Sequence, residues 1–191
     1  ERMLKNRERY ASVWWQYAEN RPGLNTALKS INEVIAMARV SAYWCPTIIF
    51  SNQVFSEALV VFPTSNQSTY ALLQSHLYEF WMDQNCSSLG KTRRYSPSDC
   101  FSTFPFPRPG WEQLQLLNSL GEKYLALRKS ICLERNIGLT KVYNLFHNEK
   151  LSNSETTDKQ NPPFDDLYAL RNLHKQINDA VLVAYQWQEI E

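Results

Sequence analysis

Val34-Ile35-Ala36-Met37-Ala38-Arg39-Val40-Ser41 is a short run rich in apolar and β-branched residues. Thr47-Ile48-Ile49-Phe50 follows Pro46, and Ala58-Leu59-Val60-Val61-Phe62 comes next and stops at Pro63. Runs of this length, bounded by Pro, Asn and Ser, read as strands. They predict one small, mostly antiparallel sheet. On both sides of them the apolar spacing becomes helical. Upstream, Tyr10, Trp14 and Tyr17 recur at i, i+4 and i+7, Arg21-Pro22-Gly23 breaks that helix, and Leu24 to Ile31 forms another short amphipathic one. Downstream, Tyr70, Leu73, Leu77 and either Phe80 or Trp81 mark the buried stripe of a helix over Thr69 to Trp81, with Ser68 or Thr69 as its cap.

The second half is helical throughout. Asn85 to Gly110 is irregular, with Ser, Pro and basic residues. Trp111 to Arg135 then carries a long stripe of Leu114, Leu117, Leu120, Tyr124, Leu127 and Ile131. Leu139 to Phe146 continues as helix after Gly138, Asn148 to Pro163 is a polar loop, and Asp165 to Tyr185 forms the last helix. Its stripe is Leu167, Leu170, either Leu173 or His174, Ile177, Val181 and Ala184. The expected fold class is α+β: a small, mostly antiparallel sheet with flanking helices, followed by an all-helical carboxy-terminal domain. The division falls near Pro105 to Pro109, giving domains at 1–108 and 109–191.

Composition narrows the function classes. A hydrophobic fraction of 43% and an aromatic fraction of 13% are enough for a packed core. Lys plus Arg is 20 against 19 for Asp plus Glu, so any basic surface must be local. Cys45, Cys86, Cys100 and Cys132 form no CxxC pair and have no His at ligand spacing, which argues against a structural metal. Reduced thiols of this kind, with no secretory signal, suit a cytoplasmic protein. No apolar run reaches the roughly 18 residues of a membrane span. Gly23, Gly90, Gly110, Gly121 and Gly138 are too far apart for a GxG or phosphate-cradling loop. His76, His147 and His174 are distant in sequence and sit in helical patterns, where helix-face positions are commoner than catalysts. No catalytic, cofactor-binding or metal-binding residue is therefore expected in this chain. The charged opening from Glu1 to Arg9 reads as cut from something longer.

Asn161-Pro162-Pro163-Phe164 spells the tetrapeptide with which amino-group DNA methyltransferases hold a flipped base. That job requires the end of a buried strand beside a cofactor pocket. The preceding Ser154-Glu155-Thr156-Thr157-Asp158-Lys159-Gln160 cannot form one. The alternative is a solvated loop in which Pro163 starts the last helix.

The basic segment is more informative. Lys91, Arg93 and Arg94 are interleaved with hydroxyls and Tyr95, and Asp99 is the one acid among them. Such chemistry suits phosphate clamping and base-edge contact, and an ordinary solvated loop is the competing reading. Arg94-Tyr95-Ser96-Pro97-Ser98-Asp99-Cys100-Phe101-Ser102-Thr103-Phe104-Pro105-Phe106-Pro107 resembles a signature of type IIG restriction–modification, adenine-specific DNA methyltransferases, just beyond their target recognition region. Further segments resemble that family in the same order: Trp14-Trp15-Gln16-Tyr17 with Arg21-Pro22, Ala38-Arg39-Val40-Ser41, Leu72 to Trp81, Asn136 to His147, Leu170 to His174 and Ala180 to Trp187. Gln186 stands where the family has Gly.

The resemblance implies a target recognition and helical region, with the catalytic tetrapeptide and the S-adenosylmethionine site in a methyltransferase domain upstream in the same parent chain. This chain would then contribute double-stranded DNA binding and no cofactor of its own. Asn161 to Phe164 falls on a variable loop of the family. Candidate DNA contacts are Arg39, Ser41 and Tyr43 around the end of the first strand, and Lys91, Arg93, Arg94 and Tyr95 in the basic loop. Lys91 suits phosphate, and an Arg suits guanine. Arg94 and Tyr95 have an alternative as anchors of the loop. Two other readings remain: a protein-interaction or assembly module without direct DNA contact, and a standalone methyltransferase using Asn161 to Phe164.

Overall fold

A computed structural model describes residues 11–12, 21–89, 92–148, 151 and 164–187. Trp14 to Tyr17, Lys91 and Asn161 to Pro163 lie outside the described residues.

The apolar run at 34–41 is not one strand. Strand β1 (Glu33–Ala38) ends before Arg39, and β2 (Val40–Ser41) belongs to a different sheet. Arg39 makes the handover with its main chain. Its amide donates to Ala58 O (2.8 Å), and its carbonyl accepts from the Tyr95 amide (2.9 Å). Two three-stranded antiparallel sheets result, in place of the single sheet expected. In the first, β1 lies between β3 (Thr47–Phe50) and β4 (Leu59–Phe62), so Ile35 sits opposite both Ile48 and Phe62. In the second, β6 (Thr92–Arg94) lies between β2 and β5 (Ser87–Leu89), with Arg94 opposite Val40 and Ser87. The last two strands fall in the segment read as irregular. Their polar residues lack the apolar alternation that marks a half-buried strand.

Helix α1 (Pro22–Leu28) precedes the sheets. The helix expected over Thr69 to Trp81 is two helices, α2 (Gln67–Gln74) and α3 (His76–Asn85). Ser75 separates them with an extended backbone, φ −71° and ψ 153°. Its hydroxyl donates to Leu72 O (2.7 Å) and accepts from the Tyr78 amide (3.3 Å), so one residue ends α2 and caps α3. Asn66 caps α2, its side-chain oxygen accepting from the Ser68 (2.9 Å) and Thr69 (3.2 Å) amides. Of the two aromatic candidates on α3, Phe80 is exposed and Trp81 is half-buried, its indole N–H donating to Cys100 O (3.1 Å).

After the short α4 (Pro97–Cys100), the chain forms α5 (Trp111–Glu134), α6 (Leu139–Phe146) and α7 (Asp165–Ala184). This bears out the α+β class with a helical carboxy-terminal part. Helix α5 packs closely on α2. A Cβ added to Gly121 would lie 2.4 Å from Gln67 O. Leu117, Leu120, Tyr124 and Ile131 of α5 and Leu167, Leu170, Ile177 and Val181 of α7 are buried together with Tyr70, Leu73, Tyr78, Ile35 and Met37 in one core. At the alternative position on α7, His174 is buried and Leu173 only half so. Trp111, the first residue of α5, is 74% exposed.

Arg128 is the largest fully buried side chain. It donates to Gln74 Oε1 (3.2 Å) on α2, Tyr143 Oη (2.9 Å) on α6 and Pro46 O (2.7 Å) before β3. Its guanidinium also lies within 5.8–6.0 Å of the Tyr70, Tyr124 and Tyr143 ring centres. Among the described residues no helix is long and apolar enough to cross a membrane.

Candidate nucleic-acid interface

The junction of the two sheets gathers Arg39, Ser41, Tyr43, Arg93 and Tyr95 around one shallow pocket. Residues distant in sequence meet there because β2 pairs with β6, setting Ser41 opposite Arg93. The space, about 10 Å³, holds no more than one water-sized group. It cannot accept an extruded base, so any reading done here is of base edges or phosphates.

Arg39 is half-buried, and its Nε is fully buried with no hydrogen-bond partner among the described residues. Ser41 Oγ accepts the Tyr43 amide (3.2 Å), a local turn that directs Tyr43 towards the helical half. The Tyr43 hydroxyl donates to Asn144 Oδ1 (2.6 Å), and its ring stacks on His147 at 5.3 Å and 8°.

The basic strand divides into different roles. Arg93 is held by two acids of α3: Nη1 meets Glu79 Oε1 at 2.8 Å, and Nε and Nη2 meet the two oxygens of Asp83 at 2.6 and 2.7 Å. Burial raises the Asp83 carboxyl above its ordinary value, and Arg93 opposes that shift. A duplex would have to compete with both carboxylates for Arg93. Arg94 is exposed and forms no ion pair among the described residues. Tyr95 is 3% exposed. Its hydroxyl is 2.6 Å from that of Tyr78, and its ring packs against Trp44 and Phe62. That placement corrects the expectation of a DNA contact by Tyr95, because its ring and its polar tip are both consumed by the core. Burial pushes its phenol well above the usual range.

Phe164, the aromatic position of the methyltransferase-like tetrapeptide, lies with its ring 5.3 Å from the Arg135 guanidinium, which is itself fixed by Asp166 at 2.6 Å. A ring held this way is not free to stack on a flipped base. The four cysteines are free thiols, with Cys100 buried and the others half-buried. Among the described residues no cluster of three or more acidic, His or Cys side chains could hold a metal. One convergence was not visible in the sequence. His76, His147 and His174 line a common groove between α3, α6 and α7. Each sits on a helix face that looks ordinary alone, and only the packing of three helices joins them.

No curated protein matches the chain. Among solved structures, it is similar to a chain of the Type IIL restriction-modification enzyme MmeI in complex with DNA, with a TM-score of 0.58 and 20% sequence identity. The likeness covers 83% of this chain and 19% of that one, so the present chain spans about a fifth of that enzyme. At this identity the likeness concerns the fold. The family described as MmeI, target recognition domain, matches residues 2–108, over half of the 191, and the chain belongs to that family.

Proposed function

We propose that this chain reads duplex DNA for an MmeI-like restriction–modification enzyme, and that it leaves the chemistry to other parts of the intact protein. The observation that carries this reading is the buried, unpartnered Nε of Arg39 in the pocket it shares with Ser41 and Tyr43. A buried donor without an acceptor costs about 1–3 kcal/mol. Reorientation of the Arg39 side chain on binding would free that donor for a base edge, and an Arg side chain can pair bidentately with guanine O6 and N7. Arg94, exposed and without an ion pair among the described residues, is the second contact, and Lys91 a phosphate contact. Residues 1–108 form the recognition unit in this reading, and 109–191 brace it.

In the same reading, an upstream methyltransferase domain of the parent chain methylates adenine with S-adenosylmethionine in the cytoplasm. The wide spacing of the glycines in this chain supports placing that cofactor in the upstream domain.

Duplex selection with the parent chain and Arg39→Ala tests the reading. The variant is expected to lose about 1–3 kcal/mol of discrimination at one base position while keeping most of its affinity for arbitrary duplex. Absence of duplex binding even at low salt would instead favour a protein-interaction or assembly module.

A further inference from the structure

The groove between α3, α6 and α7 has a volume of about 490 Å³ and is lined mainly by His76, His147, Arg171, His174, Lys175 and Asn178. Among the described residues, its lining contains two permanent cations and no carboxylate. Arg171 donates to the carbonyls of Phe146 (2.8 Å), Leu145 (3.1 Å) and Asn148 (2.8 Å). Those bonds fix its position at the end of α6, and no acid neutralises its charge among the described residues. Lys175 is exposed and forms no ion pair there either. Glu79 acts electrostatically on His147 and His174, but its carboxylate is bound by Arg93.

The neutral donors are also set. Asn178 Oδ1 accepts the His76 amide (2.9 Å), which orients its Nδ2 towards His76 Nδ1 at 3.1 Å. The His76 imidazole is exposed, with its Nδ1 engaged by Asn178. The groove also shares a wall with the Arg39 pocket, because Tyr43 lies flat against His147. On the pocket side, Arg93 is spent on Glu79 and Asp83. The Arg39 pocket thus adjoins the groove that holds Arg171 and Lys175 in the helical half.

We infer that the groove between α3, α6 and α7 seats a backbone phosphate of the same duplex whose base edges face Arg39, with Lys175 and Arg171 as its cations and the exposed His76 imidazole beside them. The inference rests on the DNA-reading function proposed above. It assigns the helical half a share of the grip, where a brace alone would make no contact.

The experiment is a salt titration of the full chain with a mixed-sequence 30-base-pair duplex (an order-of-magnitude site length, about three turns), comparing wild type, Lys175→Ala, Lys175→Glu and Arg39→Ala. Lys175 is exposed, so its variants should fold. Lys175→Ala is expected to weaken binding several-fold on every duplex and to reduce the log–log salt slope by about one. Lys175→Glu should weaken it further. In parallel, the ring resonances of His76 and His147 should move when duplex is added. Unchanged affinity and slope in both Lys175 variants, with Arg39→Ala still altering discrimination, would overturn the groove and leave the reading function standing. Histidine resonances that ignore duplex, or that respond equally to inorganic phosphate alone, would overturn it too. No duplex binding by wild type would remove the reading function and the groove together.

Discussion

Burial holds the His174 imidazole near pKa 4, against an ordinary value of 6.5, and the carbonyl of Gln74, 2.9 Å from Nε2, opposes that shift only in part. The folded state therefore resists protonation that the unfolded chain accepts. Stability from this residue is complete above about pH 6.5 and is lost as pH falls towards 4, by about 3 kcal/mol in all. Urea midpoints across that window should fall less in His174→Gln than in wild type, and parallel curves would show that the residue is not responsible. Arg128 makes a different demand. Its charge is solvated by a carbonyl, an amide, a phenol and three ring faces, with no carboxylate among its hydrogen-bond partners. Arg128→Ala strands Pro46 O and Gln74 in the core and should cost about 3 kcal/mol or more, measured by denaturant unfolding. Arg128→Met refills the volume and should recover part of the loss.

At the level of elements, the contact of α2 with α5 is set by what Gly121 lacks. Because the obstacle to a Cβ is the Gln67 backbone, no side chain can swing away to make room. Gly121→Ala should then cost about 1–3 kcal/mol by forcing the helices apart, even though alanine is the better helix former. A melting temperature equal to or above wild type would contradict this. The long helices α5 and α7 were legible within a residue or so at each end, since their apolar stripes run for several turns. The Ser75 break was not legible, because the stripe runs on from Tyr70 through Leu73 to Trp81 while a serine hydroxyl reorients the chain between them. Strands β5 and β6 were missed because ladder hydrogen bonds join main chains and do not need the apolar alternation that marks a half-buried strand. The candidate residues were legible one by one and their arrangement was not. The pairing of β2 with β6 that sets Ser41 opposite Arg93, the two carboxylates on Arg93 and the burial of Tyr95 all follow from long-range packing.

For the molecule as a whole, one apolar core runs from Ile35 of the sheet to Val181 of the last helix. Tyr185 adds a hydrogen bond to Pro105 O (2.7 Å), tying the end of α7 to the segment that joins the two halves. In a variant with the other five tryptophans replaced by Phe, unfolding followed by emission of Trp44, a ring buried in the sheet half, should coincide with loss of helical circular dichroism. Two separated transitions would show that the halves are independent. Residue 39 has one further property in this setting. Its amide and its carbonyl are both spent, on Ala58 and Tyr95, so the path of the chain there owes nothing to the guanidinium. On the reading proposed for Arg39, exchanging that group for an amide or a carboxylate would re-address the protein to a different base while the scaffold presenting it stayed in place.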